Sequence, residues 1–203
     1  MGKKIGILGG TFNPIHIGHL LLGETARCYE NLDEVWFMPS GISYLKKNIS
    51  IPDGSVRLEM VREAVKDNPY FRASDVEVLR EGNTYTSDTL VWLTEKFPDD
   101  SFYFIVGADS LMHMETWHQP EIIFQNCTVL AAIRDDVDFV KLEVQKDYLI
   151  SKFHAKINLL PYPFMDLSST EIRRRVREGK SIRYMVNNEV LSFIERKHLY
   201  LTD

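Results

Sequence analysis

The stretch KKIGILGGTFNPIHIGHLLL, residues Lys3 to Leu22, decides how the rest of the chain is read. Ile5 to Leu8 is an apolar run with the length and flanks of a buried strand. It ends in Gly9-Gly10-Thr11, where missing Cβ atoms let the backbone approach a ligand closely. Asn13-Pro14 predicts a turn, and His16-Ile17-Gly18-His19 opens an apolar-faced helix of about a dozen residues. Residues three apart share a helical face, so His16 and His19 are expected to project together. They would meet the unpaired N–H groups and the positive dipole end of that helix. A glycine turn, two imidazoles and a helix N-terminus at one spot predict an anion site suited to phosphate. A glycine pair or two histidines alone would equally suit core or surface; the combination carries the reading.

Composition sets the outer bounds. With 203 residues, 44% of them hydrophobic, the chain can bury a full core. It is most simply one domain, 1–203, in which 166–203 forms a C-terminal helical part. A net charge of -5 argues against a broad nucleic-acid-coating surface, but leaves room for a local basic pocket. Cys28 and Cys127 are far apart and lack CxxC spacing, which suits a reducing cytosol better than a disulfide scaffold. The chain enters a strand at once, with no leader pattern and no apolar run long enough to span a bilayer. A cytoplasmic protein with no nucleic-acid or membrane partner is therefore expected. A homo-oligomer is compatible with the sequence but not specified by it.

Strands are further predicted at Glu34 to Pro39, within Phe71 to Leu79, at Ser101 to Val106, Cys127 to Ile133 and Lys156 to Leu160. Helices are predicted from Ser55 to Asn68, Thr86 to Phe97 and Phe139 to Phe153, with two short ones closing the chain. Ser40 to Gly54 reads as loop. This alternation predicts right-handed βαβ units: an α/β, Rossmann-like, doubly wound and mostly parallel sheet with helices on both faces. Ligands of such sheets sit beyond the strand C-termini, where Gly9-Gly10, Pro39-Ser40 and Gly107-Ala108-Asp109 fall.

Near the end, Ser168-x-x-Glu171 has the spacing of a capping box ahead of apolar Ile172 and Val176. By itself this is a structural helix start, and Arg173, Arg174 and Arg175 would by default face solvent. Yet Leu167-Ser168-Ser169-Thr170-Glu171-Ile172-Arg173 resembles the (I/L)SSTxIR signature of the nucleotidyltransferase superfamily, and the segment Gly9 to His19 resembles its HxGH signature. The resemblance implies that ATP is held by Gly9, Gly10, Thr11, Phe12, His16, His19, Gly107, Asp109, Ser168, Ser169, Thr170 and Arg173.

Pro39 to Lys46, Asn83 to Leu90, Gly107 to Leu111 and Trp117-His118 are similar, in order, to bacterial nicotinate mononucleotide adenylyltransferases. That similarity implies a mononucleotide site of Ser40, Lys46, Tyr85, Thr86, Asp109 and Trp117, and a catalytic set of His16, His19, Lys46 and Arg173. Without it, Trp117 would as readily be a core aromatic, Thr86 a helix cap and Lys46 a solvated charge. The chain departs from the family at Asn13, where Asp is usual, at Leu45, where His usually precedes the lysine, and at Arg134-Asp135-Asp136, where an RPG turn is common.

The reaction so implied joins ATP and nicotinate mononucleotide into deamido-NAD and pyrophosphate. Mg²⁺ is expected to arrive on the ATP phosphates rather than in a carboxylate cage, and no protein metal site is expected. His16, His19, Cys28, His113 and His118 show no recognised zinc spacing. Alternatives are adenylyl transfer to nicotinamide mononucleotide or phosphopantetheine, or an ATP-binding module without turnover. No GxGxxG follows the first strand, which disfavours a dehydrogenase, and no KMSKS loop accompanies HIGH.

Overall fold

The computed structural model describes residues 2–41, 51–133, 139–162 and 165–202. Lys46 and Arg134-Asp135-Asp136 lie outside the described residues.

Six strands form one parallel sheet in the order β3-β2-β1-β4-β5-β6. They are β1 Lys4–Gly10, β2 Glu34–Pro39, β3 Phe71–Ala73, β4 Ser101–Gly107, β5 Thr128–Ile133 and β6 Lys156–Pro161. The flanking helices are α1 Ile17–Glu30, α2 Gly54–Val65, α3 Thr86–Lys96, α4 Ala108–His113, α5 Pro120–Asn126, α6 Phe139–Phe153, α7 Ser169–Arg177 and α8 Asn188–Arg196. The chain winds outward from β1 to β3, then returns beside β1 at β4, pairing Ile5 with Phe102 and Leu8 with Ile105. The switch point thus lies between β1 and β4, where parallel sheets open a crevice at their strand C-termini.

The inner strands are near-continuous apolar runs because both faces are covered. Ile5, Ile7, Leu8, Phe102, Ile105 and Val129 are all buried. Three sequence expectations shift. The first strand runs through Gly9 and Gly10, so the turn starts at Thr11. The third strand keeps only Phe71–Ala73 of the Phe71 to Leu79 run. The second helix begins at Gly54 behind Asp53, not at a Ser55 cap, and ends at Val65. Two short helices, α4 and α5, follow β4 in a segment whose periodicity is too brief to register as helix.

By internal contacts the chain divides into two compact units. The first comprises Met1–Gly9, Leu22–Trp36 and Tyr85–Phe164; the second comprises Gly10–Leu21, Phe37–Thr84 and Met165–Asp203. The core of the first gathers β4, β5 and β6 with Leu90, Leu93, Leu111 and Leu142. In the second, the buried face of α2 (Met60, Val61, Ala64) accompanies Val190, Phe193 and Ile194 of α8. There the Asn187 side chain caps α8 through Val190 N–H at 3.1 Å and donates to the Ala64 carbonyl at 2.9 Å. One amide side chain therefore satisfies two helix ends.

Candidate active site

Within the second unit the turn after β1 is tightly specified. Phe12 is buried yet has a φ of 48°, a left-handed conformation that costs an aromatic residue about 1–2 kcal/mol. Packing holds it there: its ring meets the edge of His19 at 5.1 Å and lies 6.2 Å from Phe37. Asn13 and Pro14, both buried, follow through a cis peptide bond. The left-handed backbone at Phe12 is of the kind that concentrates where a loop must hold one functional shape.

His16 caps α1. Its carbonyl accepts from the N–H groups of His19 at 2.9 Å and Leu20 at 3.3 Å. Its own N–H donates to Nδ1 of His19 at 3.2 Å. This is the return half of a capping box, with an imidazole at the position where Glu or Gln usually stands. An acceptor at Nδ1 places the ring proton on Nε2, which makes His19 a directed N–H donor. The two rings stack at 3.7 Å with 29° between planes, as the three-residue spacing predicts. His16 is buried and His19 half-buried. One expectation is modified: the Ile17 N–H is spent on the Met185 carbonyl at 3.0 Å, so α1 does not offer that donor to a ligand.

The segment from Ser168 to Arg173 docks on the same turn. Arg173 Nη1 donates to the Asn13 carbonyl at 2.7 Å, across 160 residues of sequence. Ser169 Oγ donates to the Pro14 carbonyl at 2.8 Å. Thus the guanidinium near the end of the chain reaches a carbonyl three residues before His16. Ser168 accepts from Glu171 N–H at 3.2 Å, as the capping pattern predicts. Glu171 does not complete the box; its carboxylate pairs with Arg174 at 2.7 Å. Arg174 also binds Glu178 at 2.8 Å, and Arg175 Nε donates to the Ser181 carbonyl at 2.9 Å. Of the three arginines, Arg173 alone holds the turn.

The hydroxyls are differently occupied from what the resemblance implies. Ser168 caps, Ser169 ties the turn, and Thr170 Oγ1 accepts from Arg173 at 3.3 Å. A helix start leaves its first N–H groups without intrahelical partners, and of those of α7 the Glu171 N–H is taken by Ser168. Burial pulls the Arg173 pKa down from its usual value, but a guanidinium remains charged. Ser40 N–H donates to the Gly10 carbonyl at 2.8 Å, placing the residue after β2 against the same turn.

The first unit carries the remaining positions. A Cβ added at Gly9 would meet only the Phe104 ring, at 3.8 Å, and one at Gly107 would meet nothing within 4 Å. Protein packing therefore requires glycine at neither strand end. Asp109 is exposed in the first turn of α4. Tyr85 immediately precedes α3 and Thr86 begins it; the Tyr85 carbonyl accepts from Thr89 N–H at 3.1 Å. The Tyr85 ring lies 4.1 Å from that of His118. Trp117, half-buried, packs its edge on Phe104 at 6.1 Å and is fixed by a 3.1 Å bond from its N–H to the Met114 carbonyl. Tyr85, Trp117 and His118 thus form one aromatic corner.

A family model described as cytidylyltransferase-like matches residues 7–175. A protein of Lachnoclostridium phytofermentans named "probable nicotinate-nucleotide adenylyltransferase" is 47% identical over 98% of this chain and 100% of its own length. The chain belongs to the cytidylyltransferase-like family. A second relative of the same description, from Exiguobacterium sibiricum, is 40% identical over 98% of this chain and its whole length. Among solved structures, the Plasmodium falciparum nicotinic acid mononucleotide adenylyltransferase complexed with NaAD has a TM-score of 0.78 at 20% identity. It covers 99% of this chain and 98% of its own. That likeness establishes the fold, and the α/β sheet expected from sequence is the one found.

Sequence reasoning missed His118 as the partner of Tyr85 and missed Arg57 altogether. A lone arginine in an amphipathic helix sends no signal; only the fold shows that Arg57 is buried against the Thr11 carbonyl.

Proposed function

We propose that the protein transfers the adenylyl group of ATP to nicotinate mononucleotide, forming deamido-NAD and releasing pyrophosphate, a step in NAD biosynthesis. One observation carries it: Arg173 and Ser169 are hydrogen-bonded to the turn that presents the stacked imidazoles, so both phosphate signatures act on one place. The family membership of the relatives supports the same reading.

The nucleophile is an oxygen of the mononucleotide 5′-phosphate, already anionic at neutral pH, so no general base is needed. It bonds to the α-phosphorus as the bond from that phosphorus to the bridging oxygen of the β-phosphate breaks, and pyrophosphate leaves with the electron pair. The protein must align two polyanions and neutralise charge that grows on the α-phosphoryl and leaving group. His19 Nε2–H, Arg173 and the first N–H groups of α7 are donors suited to that work. We assign ATP phosphates to Gly10, Thr11, Phe12, His16, His19, the backbone N–H groups of Ser169 and Thr170, and Arg173, and the pyridine ring to Tyr85, Thr86 and Trp117. An indole face suits the flat ring, and the start of α3 suits its carboxylate.

Mg²⁺ would supply charge neutralisation on the triphosphate. The donors present, imidazole, guanidinium and N–H, match phosphate oxygens rather than a hard cation, so the phosphates themselves would hold the ion. Cys28 and Cys127 are free thiols, which suits a reducing cytoplasm, and no helix among the described residues is long and apolar enough to cross a membrane.

The test is pyrophosphate release with ATP and a panel of acceptors. Nicotinate mononucleotide should give the highest kcat/KM. A higher value for nicotinamide mononucleotide or phosphopantetheine would reassign the acceptor, and no release with any of them would leave an ATP-binding module.

A further inference from the structure

Arg57 sits in the first turn of α2, only 4% exposed. All three guanidinium nitrogens donate to backbone carbonyls: Nη1 to Thr11 at 2.9 Å, Nη2 to Ser40 at 2.7 Å and Nε to Pro52 at 3.1 Å. Among the described residues no carboxylate forms an ion pair with it. A buried cation is costly unless its donors are satisfied, and here the satisfaction comes wholly from loop backbone. Two of those carbonyls belong to the turn after β1 and the residue after β2, which are themselves joined by the Ser40 N–H bond to Gly10. The buried phenol of Tyr200 lies in the fields of both Arg57 and Arg173, and burial pushes its pKa well above the usual value.

We propose that Arg57 is a positioning residue for adenylyl transfer: its planar fork locks the Thr11 and Ser40 carbonyls and so sets the phosphate turn that carries His16 and His19. Stability alone does not ask for this arrangement, because a well-packed apolar side chain often replaces a buried charge without loss. The planar fork does, since its rigid plane holds two carbonyls in one fixed relation, which a freely rotating ammonium does not. The inference rests on the adenylyl-transfer reading.

The test compares wild type with Arg57→Lys and Arg57→Met. ATP sites are counted by titration calorimetry, and kcat is referred to those sites. Displacing reacting groups by about 1 Å costs up to roughly 10²-fold in rate. Arg57→Lys is therefore expected to lower kcat per titrated site at least fivefold, with KM for nicotinate mononucleotide within twofold of wild type. Arg57→Met should lower it further. A merely structural arginine would lower Tm and the number of sites while leaving kcat per site within fivefold, and that result overturns the proposal. Failure of both variants to fold assigns Arg57 to stability alone and overturns it equally. Wild type run in parallel separates the two ideas: no pyrophosphate release from wild type sinks the reaction, whereas active wild type with an equally active Arg57→Lys sinks only the role of Arg57.

Discussion

The phosphate turn of the second unit and the aromatic corner of the first are built in opposite ways. The turn is held by side chains that reach backbone carbonyls from far along the sequence: Arg57 to Thr11, Ser169 to Pro14 and Arg173 to Asn13. Such bonds fix main-chain position, and hence every N–H and imidazole the turn presents. The corner relies on ring against ring, Tyr85 on His118 and Trp117 on Phe104, with Tyr85 and Trp117 half-buried and His118 exposed. Groups that meet developing charge gain most from being preorganised, since they need not reorganise during reaction. Groups that select a ring need only shape and polarisability. The contrast teaches that rate should depend on the turn and acceptor affinity on the corner.

The largest expected effect tests the first half. His19→Ala removes the Nε2–H donor and the imidazole that answers the His16 N–H, so kcat should fall by about 10²-fold or more, as when an oxyanion donor is lost. Turnover within a few-fold of wild type would take His19 out of the reaction. A smaller effect is expected at the corner. Trp117→Ala should raise KM for the mononucleotide about tenfold, roughly the 1–1.5 kcal/mol of a lost aromatic contact, while KM for ATP stays within twofold. Equal changes in both constants would erase the contrast. Smallest is Ser168→Ala, which deletes the α7 cap and should cost about 1 kcal/mol of stability, read as a fall in denaturation midpoint. Because Ser169 and Arg173 still tie α7 to the turn, kcat should fall less than threefold; a drop comparable to that of His19→Ala would make the hydroxyl a direct phosphate ligand.

The two helix starts show what was legible. At Ser168-x-x-Glu171 the pattern correctly marks the cap, yet half the box is absent because Glu171 finds Arg174 one turn on. At His16-x-x-His19 no standard box is written, yet an imidazole supplies the return bond. Local pattern locates a helix end; competing neighbours decide which bonds form there.

From the sequence alone come the alternating strands and helices, the paired histidines and the arginine signature, because hydrophobic periodicity, glycine and proline punctuation and three-residue spacing are local. The stacking of His16 on His19 belongs to this class. Tertiary structure alone decided that Arg57 sits beneath the phosphate turn, that Arg173 grips Asn13, that Tyr85 meets His118, and that β3 shrinks to three residues. Each of these depends on a partner tens of residues away, whose identity no local window contains. A carbonyl, the partner in the first two cases, is moreover the same in every residue, so only the folded backbone can reveal which one a buried guanidinium will bind.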